Sequence, residues 1–114
     1  MKIYKKCTNI CIKCLSECEA SLTFSLQESK KDNQLDCINL LLDCIDICSI
    51  TIRYLLYNSR FIRDICYKCA IICNNCAKVC AKSSNKHYQS CVEICHKCAK
   101  KCKKIASFSL NQLA

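Results

Sequence analysis

The stretch CYKCAIICNNCAKVC, residues 66–80, places cysteines at 66, 69, 73, 76 and 80, in steps of 3, 4, 3 and 4. Close cysteine pairs often sit on turns, as in zinc knuckles, iron–sulfur ligand runs and redox dithiols. This chain has no glycine and no proline in its 114 residues, so turns that need a positive or a locked φ are scarce. Alternating threes and fours is instead the seam of a helix packed in a bundle, averaging about 3.5 residues per repeat.

The remaining cysteines obey the same rule. Cys7, Cys11, Cys14 and Cys18 step 4, 3, 4; Cys37, Cys44 and Cys48 step 7, 4; Cys91, Cys95, Cys98 and Cys102 step 4, 3, 4. A strand would space them by even numbers and a knuckle would cluster them, so each group lays its sulfurs along one helical stripe. The gaps carry helix-end chemistry. Asp32 or Asn33 can cap a helix after Ser29-Lys-Lys; Asn58 suits a left-handed stop and Ser59 a cap; Ser83-Ser84-Asn85 forms the third break. Helices are expected at about 3–28, 34–57, 60–82 and 85–107. Short connections favour antiparallel neighbours. The expected fold is all-α: one domain over residues 1–114, an antiparallel up-down-up-down four-helix bundle with a cysteine-lined core.

Sixteen cysteines in 114 residues are far more than a core tolerates as filler. Each is smaller than the leucine it replaces, and voids cost stability. Residues 37–57 are long enough to span a bilayer, but Asp43, Asp46 and Arg53 within them make that costly, so no membrane partner is expected. The net charge of +9 is spread over lysines in every helix, with only a short KKCKK run at 100–104. That reads as a solvated surface, not a nucleic-acid site. The start MKIYKKCTNICIKC lacks the apolar core and cleavage site of a secretory signal. The expected location is the reducing cytoplasm, where thiols stay reduced.

A lumen of soft thiolates selects Cu(I), Zn(II) or iron–sulfur clusters. Seven CxxxC pairs occur, at 7/11, 14/18, 44/48, 69/73, 76/80, 91/95 and 98/102. Residues at i and i+4 share a helix face about 5–6 Å apart at Cβ, so two sulfurs can grip one ion. Two-thiolate binding suits Cu(I); zinc wants one closed tetrahedron, which four helices could also supply. Iron–sulfur runs of the ferredoxin type end next to a proline, and the chain has none. Cys95-His96-Lys97-Cys98 is followed by Ala99, so the CxxCH haem motif is absent. A zinc or iron–sulfur protein and a disulfide-bonded helical scaffold stay as alternatives.

With CxxxC and CxxC pairs along all four helices, the chain resembles the bacterial copper storage proteins over about residues 3–105. It is most similar to their cytosolic branch, since it lacks an export signal and its one methionine is Met1. The resemblance implies a four-helix bundle whose lumen holds many Cu(I) ions on thiolates, copper homeostasis without catalysis, and a homotetramer of bundles. A copper donor or acceptor protein is the one macromolecular partner left open.

Antiparallel helices with a rise of about 1.5 Å per residue fix heights along the axis. Ile3, Leu55, Ile62 and Ile105 fall at one end beside Phe61 and Phe108, a hydrophobic plug. Cys37, Cys80, His87, Ser21, Ser25 and Asp36 collect at the other. His87, four residues before Cys91, is expected on the thiol stripe at this mouth, as a Cu(I) ligand or uptake residue. His96 lies off the stripe. The seam is interrupted by Ser21 and Ser25 in the first helix and by Leu41, Thr51 and Leu55 in the second. The second helix is apolar beyond its stripe (Ile38, Leu40, Leu42, Ile45, Ile47, Ile50, Ile52 and Leu56), which points to self-association.

Overall fold

The computed structural model describes residues 2–27, 35–83 and 85–108. Four helices form an all-α bundle: α1 (Lys2–Gln27), α2 (Leu35–Leu56), α3 (Ile62–Cys80) and α4 (Gln89–Ala106). One 3-10 turn, Lys86–Tyr88, leads into α4. α1 packs on α2 and α4, and α3 packs on the same two. The helices thus form a ring of neighbours about one central seam, elongated to 50 × 20 × 18 Å.

The helix ends follow from side chains the sequence singles out. Asn58 sits at φ 57, a left-handed conformation that asparagine tolerates better than most residues. Ser59 N–H then donates to the Tyr54 carbonyl at 3.0 Å, the long reverse bond that closes an α-helix C-terminus. Ser59 Oγ in turn accepts from Phe61 N–H at 3.0 Å, and α3 begins one residue later. The expected break after Ser29 lies outside the described residues.

The α3–α4 connection departs from expectation. Asn85 Oδ1 accepts from His87 N–H at 3.0 Å, and Tyr88 N–H donates to the Asn85 carbonyl at 3.2 Å. This tight i to i+3 geometry makes one 3-10 turn before the α-helix starts at Gln89, four residues later than the spacing alone predicts. A 3-10 turn advances about 120° per residue where an α-helix advances about 100°, so it re-aims the side chains of residues 86–88.

Buried hydroxyls are satisfied locally. Thr8 donates to the Tyr4 carbonyl at 2.7 Å and Thr51 to the Ile47 carbonyl at 2.7 Å. Ser25 reaches the Ser21 carbonyl at 2.9 Å. Each hydroxyl proton is turned back onto its own helix and makes no demand on the thiols. At the plug end Leu55, Ile62 and Ile105 are buried, Tyr4 joins them, and Ile3 and Phe108 are half-buried. Phe61 is 54% exposed, because it belongs to the turn before α3 and not to the seam.

Candidate metal centre

All sixteen cysteines carry free thiols, and all are buried. Cys37 keeps 5% exposure; every other cysteine has none. The 3–4 spacing on four helices thus produces one continuous column of sulfur.

Sulfur contacts fix the register. Between α1 and α4, Cys7 meets Cys102, Cys11 meets Cys98, Cys14 meets Cys95 and Cys18 meets Cys91, each at 3.7 Å. Between α2 and α3, Cys44 meets Cys73 at 3.6 Å and Cys37 meets Cys80 at 2.7 Å. Across α1 and α2, Cys14 meets Cys44 at 3.9 Å. Continuing this register sorts the column into five layers from plug to mouth. Cys7, Cys66 and Cys102 share a layer with Thr51. Cys11, Cys48, Cys69 and Cys98 form the next, and Cys14, Cys44, Cys73 and Cys95 the central one. Cys18, Cys76 and Cys91 share a layer with Leu41. Cys37 and Cys80 share the last with Ser21 and Tyr88.

Layers are not separate sites. Neighbouring layers touch through Cys11–Cys102 at 3.9 Å, Cys18–Cys95 at 3.8 Å and Cys48–Cys73 at 4.0 Å. The i, i+4 pairs 69/73, 76/80 and 91/95 touch at 3.8, 4.0 and 3.9 Å. Groups of four sulfurs with all members within 4.8 Å of one another include 11/69/98/102, 14/44/48/73, 14/18/44/95 and 18/76/91/95. Cys14 belongs to two of these groups and Cys18 to two, so one thiolate can bridge successive ions. A soft cation that accepts two or three sulfurs can occupy such a ladder throughout its length.

Crowding also sets the protonation pattern. Hydrogen bonds from Cys18 and then Cys44 hold Cys14 far below the ordinary thiol range; those from Cys102 and Cys11 do the same for Cys69. Cys73 is pushed far up, first by its contact with Cys14 and then Cys44. Cys95 is pushed up by Cys14 and Cys18, and Cys102 by Cys11 and Cys66. Burial raises every one of them. Sulfurs this close cannot all be anions without counter-charge, so the ionised ones accept hydrogen bonds from neighbours that keep their protons.

At the mouth the structure refines the expected group. Ser21 and Ser25 are buried, as the extended stripe of α1 requires, while Asp36 and His96 are exposed. His87 lies at this end but is exposed, with its ring stacked on Phe24 at 3.9 Å between centroids and 17° between planes. The inward position belongs to Tyr88, which is 1% exposed. Tyr88 bonds through its hydroxyl to Ser25 Oγ and presents its ring edge to Phe24 at 5.9 Å. Sequence reasoning missed Tyr88, although the signal was present. Continuing the 4, 3, 4 steps of α4 backwards from Cys91 calls for a step of three, which lands on Tyr88, whereas His87 needs a second step of four.

Metal and proton compete for each sulfur. Thiols held above their ordinary range keep their protons at neutral pH, so Cu(I) binding must release protons and strengthen as pH rises. In competition with a Cu(I) chelator at about pH 6 and about pH 8, the apparent affinity is expected to be higher at the alkaline value. An affinity unchanged between the two would contradict the thiolate ladder.

Comparison with known proteins fits this geometry. Residues 1–107 match the copper storage protein family. The chain is 35% identical over 85 residues to the Bacillus subtilis cysteine-rich protein YhjQ, covering 75% of this chain and 79% of the relative. The Cu(I)-bound copper storage protein BsCsp3 of Bacillus subtilis superposes with a TM-score of 0.89 at 33% identity, over 92% of this chain and 99% of that one. A cytosolic copper storage protein from Streptomyces lividans, solved with five coppers, gives 0.88 at 25% identity, over 95% of each chain. The chain therefore belongs to the copper storage protein family, as a metal store rather than an enzyme, with the cysteine core as its copper-binding part.

Proposed function

We propose that this protein buffers copper in the cytoplasm by holding many Cu(I) ions on the sixteen lumen thiolates. Cys7, Cys11, Cys14, Cys18, Cys37, Cys44, Cys48, Cys66, Cys69, Cys73, Cys76, Cys80, Cys91, Cys95, Cys98 and Cys102 are the ligand set in this reading. The observation that carries it is the unbroken sulfur column, in which overlapping four-sulfur groups share members. A zinc site closes on four ligands and stops. A shared-ligand ladder has no such stopping point, and it fits an ion satisfied by two or three bridging thiolates. If most thiolates bridge two ions, capacity approaches one Cu(I) per cysteine.

His87 is an uptake residue in this reading. It stands exposed at the polar end, fixed by its stack on Phe24, beside the layer that holds Cys37 and Cys80. Anaerobic titration of the reduced protein with Cu(I) is expected to show colourless uptake of many equivalents per chain. The His87→Ala variant is expected to reach the same capacity more slowly. Saturation at one or two metal ions would overturn storage, and an unchanged uptake rate in the variant would remove His87 from the path.

Self-association into a tetramer of bundles is the second part of the proposal, with a copper donor or acceptor protein as transient partner. Its support is the outer face of α2, where Leu35, Leu42 and Leu56 are 68%, 45% and 70% exposed and Ile38, Ile45 and Ile52 are half-buried. Apolar surface of that extent on one helix is more often covered than left in water. Sedimentation is expected to give a species of four chains; a monomer at micromolar concentration would contradict it.

A further inference from the structure

One pair of thiols differs from the rest of the column. Cys37 and Cys80 approach to 2.7 Å at Sγ, whereas the other inter-helix sulfur contacts lie between 3.6 and 4.0 Å. The two belong to adjacent antiparallel helices, α2 and α3, in the layer nearest the polar end. Ser21 and Tyr88 complete that layer, so two thiols face each other there with no third in register. Cys37 is also the one cysteine with exposed surface, 5% against zero elsewhere. An external reagent meets Cys37 first, and the sulfur placed to resolve the product is that of Cys80.

We infer that Cys37 and Cys80 form a redox pair at the mouth, oxidised by a low-molecular-weight disulfide to a bond that ties α2 to α3. The chemistry is two successive thiol–disulfide exchanges. The Cys37 sulfur attacks one sulfur of the external disulfide RSSR, forming a mixed disulfide and releasing RSH with the proton that Cys37 gives up. The Cys80 sulfur then attacks Cys37 Sγ, forming the intramolecular bond and releasing the second RSH. Two electrons pass from the cysteine pair to RSSR, and two thiol protons leave with the products. Exchange with a small dithiol reverses both steps. Disulfides in reducing compartments, where they occur, are usually transient and redox-sensing. The bond removes two sulfurs from the ligand set and ties α2 to α3 at the polar end. That consequence for copper rests on the proposed storage function; the disulfide chemistry does not.

The test uses the reduced, metal-free full-length protein, exposed anaerobically to one equivalent of glutathione disulfide and mapped by mass spectrometry of non-reduced peptides. The first product is expected to have lost two hydrogens, to link Cys37 to Cys80, and to have lost two of its sixteen titratable thiols with helicity retained. The Cys80→Ser variant is expected to stop at a glutathione adduct on Cys37. First disulfides spread over several pairs, a first bond at an inner pair such as Cys7–Cys102, or no reaction would each overturn the pair. The wild-type map decides the matter even if the variant does not fold. A protein that forms this disulfide yet binds few Cu(I) ions when reduced would keep the redox pair and refute storage.

Discussion

Sulfur packed against sulfur is the contact on which this bundle depends. In an ordinary four-helix bundle the seam is filled with leucine and isoleucine, and helix separation is set by their volume. Here the seam holds thiols, each worth less buried volume, and a seam left with voids would cost about 1 kcal/mol per methyl-sized gap. The helices answer by bringing sulfurs to 3.6–4.0 Å of one another, so the column fills its own space. The fold and the binding site are therefore the same object.

That economy has an electrostatic consequence. Polar groups inside the bundle are kept from competing with the thiols: Thr8, Ser25 and Thr51 turn their hydroxyls onto backbone carbonyls of their own helices. What is left in the lumen is a set of weak acids that share protons. Monovalent soft cations can replace those protons one for one with no net change of charge. The lysines outside, within a net charge of +9, favour whatever negative charge the thiolates retain. The plug of Leu55, Ile62 and Ile105 closes one end.

Much of this was legible in the sequence because period is a strong signal and cysteine a distinctive letter. The 3–4 steps placed every cysteine on a buried stripe, and Asn58 and Ser59 announced the end of α2 through backbone preferences that act locally. The interruptions at Ser21, Ser25, Leu41, Thr51 and Leu55 also followed from the period alone, and all five are buried. The mouth was harder to read. A step of four back from Cys91 points to His87, but the alternation of the seam requires a step of three, and the buried residue is Tyr88. Phe61 differs for another reason: apolar character suggested the plug, but its place in a turn left it 54% exposed. Hydrophobicity names candidates, and only local backbone geometry decides which way a side chain near a helix end points.

In this reading copper sits on lumen sulfur and on little else. X-ray absorption at the copper edge of the Cu(I)-loaded protein tests it directly, because the first coordination shell distinguishes sulfur from nitrogen and oxygen. The expected spectrum has a first shell of two to three sulfurs per copper, on the order of the coordination that shared thiolates allow, with neighbouring copper atoms visible beyond it. A first shell dominated by nitrogen or oxygen would place the metal on surface histidine and carboxylate groups, and would contradict storage in the thiol column.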